Sequence, residues 1–130
     1  MENTLSYNAL VEDHFRNPRN PAGGPSERAV CGRAGSIERG TWIEFQLTLA
    51  HDGEVETAAF RAYGCPHTIA LASWLTEYLP GRALSDNFTL DRHVITQALD
   101  LPVEKLSSVL VAEDALRACA AEKQENCDGA

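Results

Sequence analysis

The sequence predicts an α+β fold: a small antiparallel β-sheet of two or three strands packed against four or five helices. Three observations carry this prediction. Two runs of period-two alternation flank His51-Asp52-Gly53, a hairpin signal. Helical periodicity appears before that hairpin and again after it. Proline and glycine punctuate the segments, at Asn17-Pro18-Arg19-Asn20-Pro21, at Pro80-Gly81 and at Leu101-Pro102.

The elements follow in order. Residues 4–15 are expected to be helical, with Asn3 or Thr4 as cap and Leu5, Ala9, Val11 and Phe15 along roughly one face. Residues 21–26 hold two prolines and two glycines and read as an irregular loop, and a short strand is expected over 27–32. In the first alternating run, 41–49, Trp42 leads one row while Ile43, Phe45, Leu47 and Leu49 form the other. The return strand, 55–63, sets Ala59, Arg61 and Tyr63 against Ala58, Phe60 and Ala62. The sheet needs cover on its apolar face, which the flanking helices can supply.

A helix is expected over 68–79, with Ile69, Ala72, Leu75 and Leu79 at helical spacing and Trp74 and Tyr78 beside them. A further helix covers 90–99, with Asp91 near its start and Val94, Ile95, Ala98 and Leu99 as its stripe. The longest spans 103–122, burying Leu106, Val109, Leu110, Leu116, Cys119 and Ala120. The whole chain, 1–130, reads as one domain, with residues 1–3 and 124–130 expected to be disordered tails.

Eleven Lys and Arg stand against 19 Asp and Glu, a net charge of −8. That balance opposes non-specific binding to nucleic acid or to anionic membrane. The text has no run of basic residues, no phosphate-binding G-x-x-x-x-G-K-[ST] loop, no apolar run near 18 residues and no secretory signal pattern. A cytoplasmic location and reduced thiols are expected. The four cysteines, at 31, 65, 119 and 127, lack C-x-x-C spacing and do not form a zinc-knuckle pattern.

Chemistry concentrates at Tyr63-Gly64-Cys65-Pro66. Gly64 permits a positive-φ turn, and Pro66 suits a first helical position. Cys65 would then cap a helix, facing free amides and the positive end of the helix dipole. That setting favours a thiolate, the form that binds metal and attacks electrophiles. The other reading of these residues is a half-buried cysteine at a turn. His67, in the first turn of the same helix, is a candidate ligand or proton carrier, or else an ordinary first-turn residue. Cys119 fits a packed helix face, and Cys127 falls in the polar tail. A hydrolase or transferase finds little support, since one Cys near one His is weak grounds for nucleophilic catalysis.

The chain resembles the IscU/NifU family of iron–sulfur cluster assembly scaffolds. The resemblance rests on Asp13-His14-Phe15-Arg16-Asn17-Pro18-Arg19-Asn20, on Phe60-Arg61-Ala62-Tyr63-Gly64-Cys65, and on Ile69-Ala70 with Ser73. It continues in Leu99-Asp100-Leu101-Pro102, Lys105 and Ala112-Glu113-Asp114-Ala115-Leu116. It implies a non-enzymatic carrier that receives sulfur from a cysteine desulfurase, with Cys65 as a ligand to iron or an iron–sulfur cluster. It also implies that His14 makes a structural contact.

The family's remaining ligands do not carry over. Its first cysteine, in an Ala-Cys-Gly-Asp motif on the strand before the hairpin, corresponds to Arg39, and the aspartate to Thr41. Its His-Cys pair corresponds to Ser107 and Ser108. Clusters take thiolate or imidazole ligands, typically four. Serine is a poor substitute and a guanidinium cannot ligate. Cys31, in a Cys-Gly pair that echoes the missing one, is the candidate to supplement Cys65.

An Arg39 beside Cys65 would lower the thiol pKa further and favour an anion or persulfide over a ferrous ion. The family's segment for a DnaK-like chaperone reads Leu101-Pro102-Val103-Glu104-Lys105 here, where Val103-Glu104 replaces an apolar pair with an acidic one. Two readings follow. One is a scaffold-like assembly protein acting through Cys65. The other is a relative that has lost cluster binding and serves as a partner-binding protein or a thiol (persulfide) acceptor.

Overall fold

The computed structural model describes residues 9–16, 29–50, 52–85 and 88–121. Helix α1 (Ala9–Arg16) precedes strands β1 (Ala29–Ser36), β2 (Thr41–Leu49) and β3 (Val55–Tyr63). Helices α2 (Pro66–Tyr78) and α3 (Arg92–Leu99) follow, then a 3₁₀ turn (Val103–Lys105) and α4 (Leu106–Ala121). The strands form one antiparallel sheet in the order β1-β2-β3. This is the α+β class that the alternation and helical periodicity predict. The expectations for residues 1–8 and for the tail 124–130 lie outside the described residues.

Strands β2 and β3 occupy the expected ranges, because strict alternation lets each bury one row. Ile43, Phe45 and Leu47 are fully buried, and Ala58 and Phe60 lie opposite Leu47 and Phe45. Burying side chains of this size stabilises the fold by about 1.5–3 kcal/mol each. The hairpin closes through Ala50 N–H donating to the Glu54 carbonyl at 2.8 Å and Gly53 N–H to the Ala50 carbonyl at 3.0 Å. Strand β1 runs to Ser36, beyond the expected end at residue 32, because its whole length pairs with β2. Sheet pairing supplies what the local text of Gly32, Gly35 and alanines does not.

Helices α2 and α4 cover the apolar face, α4 over β1 and β2 and α2 over β3. Gly32 makes this contact close: a β-carbon there would overlap the Ala115 carbonyl oxygen and the Cys119 amide. Cys119 is fully buried and its thiol donates to the Phe45 carbonyl at 3.5 Å, the packing role expected of it.

Helix α1 packs on α2 rather than on the sheet. Its inward residues are Leu10, Val11 and His14; of the expected stripe Val11 is buried and Ala9 is exposed, while Leu5 and the Phe15 side chain lie outside the described residues. His14 is 1% exposed, and its Nδ1 lies 2.7 Å from Ser73 Oγ. The resemblance implied such a structural contact.

The long helix expected over 103–122 is divided. Val103–Lys105 is a 3₁₀ turn and α4 begins at Leu106. Within α4, Leu110 is 48% exposed and does not join the buried face, which instead includes Ala112, Glu113 and Ala115. In α3, Asp91 is the N-cap, its carboxylate accepting from the His93 and Val94 amides. Ile95 and Leu99 are buried there, whereas Val94 is 37% exposed. Asp100 ends the helix in the left-handed region, φ 51 and ψ 50, with its N–H on the Thr96 carbonyl at 2.7 Å. That reversal brings the 3₁₀ turn and the start of α4 beside the start of α2.

Candidate functional site: the N-terminus of helix α2

The site is built where β3 ends. Trp42 pairs with Tyr63, so the β1–β2 turn at 37–40 and the Gly64-Cys65 turn lie at the same end of the sheet. Gly64 has φ 156, and a side chain there would press on that of Thr68. Glycine therefore allows the chain to leave β3 and enter α2 within two residues. Cys65 is the N-cap (φ −75, ψ 171) and Pro66 opens the helix. The Cys65 carbonyl accepts from the Thr68 and Ile69 amides at 2.9 and 3.2 Å.

The Cys65 thiol is free and half-buried. Its sulfur lies 3.7 Å from Thr68 Oγ1, and Thr68 Oγ1 lies 3.1 Å from Ser108 Oγ. Burial raises the Cys65 pKa. The Thr68 amide, the Thr68 hydroxyl, the His67 amide and the Lys105 charge together outweigh it, and the thiol is held below its ordinary value. For His67, burial and the Lys105 charge lower the pKa, while Glu104 and Asp100 act against them. The arrangement favours the thiolate form: the Thr68 and His67 amides, the Thr68 hydroxyl and the Lys105 charge act on a single sulfur.

The predicted site residues divide accordingly. Cys65, His67 and Ser108 come together. Ser107, the next-door position, is exposed. Ser108 is 4% exposed and occupied by its bond to Thr68. Arg39 lies in the β1–β2 turn, not on a strand, with its amide on Ser36 Oγ at 3.1 Å, and Thr41 opens β2. The cation acting on the sulfur is Lys105 rather than Arg39.

Cys31 is not part of the site. It pairs with Gln46 on the sheet face turned away from α2 and α4, and it is disulfide-bonded, against the expectation of reduced thiols. Cys127 lies outside the described residues.

Thr68 and Lys105 are the participants that the sequence reading passed over. Thr68 stands three residues after the cap, where the amide and a short side chain face the capping atom. Lys105 was legible only as a matching letter, because its approach to Cys65 depends on the 3₁₀ turn. Among the described residues, no group of three or more His, Cys, Asp or Glu side chains could hold a metal ion. One cysteine sulfur with an amide-lined approach suits an anion or a single coordinate bond. It does not supply the ligands an iron–sulfur cluster takes.

The family "NifU-like N terminal domain" matches residues 6–127. The iron–sulfur cluster assembly scaffold protein IscU of Escherichia coli K12 is 32% identical over 120 residues, 91% of this chain and 94% of that protein. IscU of Haemophilus influenzae is 31% identical over 120 residues, 91% of this chain and 95% of that protein. IscU of Buchnera aphidicola from Acyrthosiphon pisum is 32% identical over 116 residues, 88% and 91% of the two chains.

Among solved structures, one is named as an iron–sulfur cluster assembly scaffold protein for the SUF system, from Fervidobacterium islandicum AW-1. It superposes with a TM-score of 0.62 at 14% identity, covering 88% of this chain and 96% of that one, which speaks to the fold alone. On the family match and these identities, the chain belongs to the IscU/NifU family, as a NifU-like N-terminal domain.

Proposed function

We propose that this protein is a scaffold-like participant in iron–sulfur cluster assembly that holds sulfur or iron, as an assembly intermediate, on Cys65. The observation that carries the reading is the position of that thiol. It caps α2 at the end of the sheet, and Thr68, His67 and Lys105 favour its thiolate. The reading is also supported by the names of relatives that match nearly the full chain. The cluster is cargo here, and among the described residues one sulfur, that of Cys65, is placed to ligate it. The remaining ligands would come from a partner protein, and a cysteine desulfurase is the expected source of sulfur. The protein acts as a carrier rather than as an enzyme, in the cytoplasm. No described helix is long and apolar enough to cross a membrane.

A second reading is favoured by the character of the pocket. The Lys105 charge and the locked Ser108 hydroxyl suit a persulfide anion better than a ferrous ion. In this reading Cys65 accepts sulfane sulfur alone. Its thiolate attacks the outer sulfur of a donor persulfide, forming the Cys65 persulfide and releasing the donor thiolate.

Two anaerobic incubations test both readings, one with ferrous iron and sulfide, one with a small-molecule persulfide donor. Iron and acid-labile sulfide per chain, and the mass of the Cys65 peptide, are measured. Uptake lost in Cys65→Ser supports the role given to Cys65, and the incubation that loads decides the cargo. Equal uptake by Cys65→Ser would remove that role.

A further inference from the structure

We infer that Thr68 is the specificity-determining residue of the Cys65 site: its side chain fills the place beside the sulfur that a second metal ligand would need, and so excludes a metal ion and leaves Cys65 to sulfane sulfur. The inference rests on the reading that Cys65 carries the cargo, and it selects between the two cargoes named there.

The Thr68 side chain is held on three sides. It is 1% exposed, and its β-branched stem has little freedom at χ1. A β-carbon placed on Gly64 would lie 2.9, 3.0 and 3.0 Å from its Cβ, Cγ2 and Oγ1, so the whole side chain rests against the Gly64 backbone. Its hydroxyl is 3.7 Å from the Cys65 sulfur and 3.1 Å from the Ser108 hydroxyl. Ser108 is itself 4% exposed. In this line of contacts Thr68 stands between Ser108 and the sulfur.

Metal geometry gives that placement its meaning. A tetrahedral ion binds thiolate sulfur at about 2.3 Å and oxygen or nitrogen at about 2.0–2.2 Å, which sets two of its ligands roughly 3.6 Å apart. The Thr68 hydroxyl stands at about that distance from the Cys65 sulfur. It is a neutral hydroxyl bonded to another hydroxyl, whereas such ions take thiolate, imidazole or carboxylate. The place for a second ligand is therefore filled by a group that does not ligate. Position 108, to which the resemblance assigns a cysteine, is one layer removed, and a thiol substituted there would still have Thr68 in front of it.

Sulfane sulfur needs no second ligand. The Cys65 thiolate attacks the outer sulfur of a donor persulfide; one S–S bond forms, the donor's S–S bond breaks, and the donor leaves as its thiolate. The added atom extends about 2.05 Å from the Cys65 sulfur. Cys65 is half-buried, so its open side can receive it, and the Lys105 charge acting on the same sulfur suits an anion.

The test uses the full chain under anaerobic conditions, with Zn²⁺ as the metal probe and a small-molecule persulfide donor as the sulfur probe. In the wild type, zinc should leave the alkylation rate of the Cys65 peptide unchanged, while the donor adds one sulfur to it. Ser108→Cys should bind zinc no better than wild type, measured by competition with a chromophoric chelator. Thr68→Ala combined with Ser108→Cys leaves neither hydroxyl in place and opens the way between two thiols. It should bind zinc roughly tenfold tighter or more. Ser108→Cys alone binding as tightly as the double variant, or the double variant binding no better than wild type, would overturn the inference. So would zinc protection of wild-type Cys65, a measurement that stands even if the double variant does not fold. Zinc excluded from a wild-type Cys65 that also takes no sulfur would remove the function given to Cys65 and uphold the exclusion of metal.

Discussion

The hydroxyl of Thr68 lies 3.1 Å from that of Ser108, a residue 40 positions later in the chain. Both are buried, and the same Thr68 hydroxyl is 3.7 Å from the Cys65 sulfur. Ser108, at the position where the resemblance implies a cysteine, is thereby tied through Thr68 to Cys65.

Thr68→Val keeps the shape but removes the partner of a buried hydroxyl, and it should lower stability by about 1–3 kcal/mol. Ser108→Ala in the same chain should recover most of that loss, since neither side then carries an unmet hydroxyl. Urea unfolding of the two single variants and the double variant measures this coupling. Additive losses would contradict it.

Cys65 should alkylate with an apparent pKa below the value near 8.5 of an ordinary cysteine. Thr68→Val should raise the midpoint, and Lys105→Gln should raise it less. The sign for stability follows from linkage. Folding lowers the thiol pKa, so the contribution is fully present above about pH 8.5 and is lost as pH falls through the folded value. Iodoacetamide rates against pH read the shift directly.

His67 should titrate below 6.5 by NMR, and removing the Lys105 charge should move its midpoint upward. Because folding disfavours protonated His67, stability from this group falls as pH drops below about 6.5 and levels off beneath the folded pKa.

Gly32→Ala should destabilise the fold by about 1–3 kcal/mol or more, because the added methyl meets backbone of α4 rather than a movable side chain. The denaturation midpoint in urea checks this. A neutral result would mean that α4 does not sit against β1 at that depth.

Glu44 is 5% exposed on the central strand, and its Oε2 accepts from Arg33 Nε at 3.0 Å and Nη2 at 2.6 Å. Arg33 is about half exposed and can be rehydrated. Glu44→Gln should therefore cost only about 1–2 kcal/mol, read as a shift of the urea midpoint.

The sequence by itself determined the local elements of this protein. Alternation at 41–49 and 55–63 defined β2 and β3, because period two leaves only one way to bury Ile43, Phe45 and Phe60 together. Gly64, Cys65 and Pro66 defined the start of α2, because each suits one backbone conformation of that turn. Tertiary structure decided what touches what. The extension of β1 to Ser36 needed β2 as its partner. The division of the last helix at Leu106 and the exposure of Leu110 followed from how α4 lies across the sheet, where Gly32 admits its backbone. The cation at Cys65 came from Lys105, not from Arg39. Periodicity reports which face of an element is apolar. Only packing fixes which residues, distant in sequence, share a sulfur's surroundings.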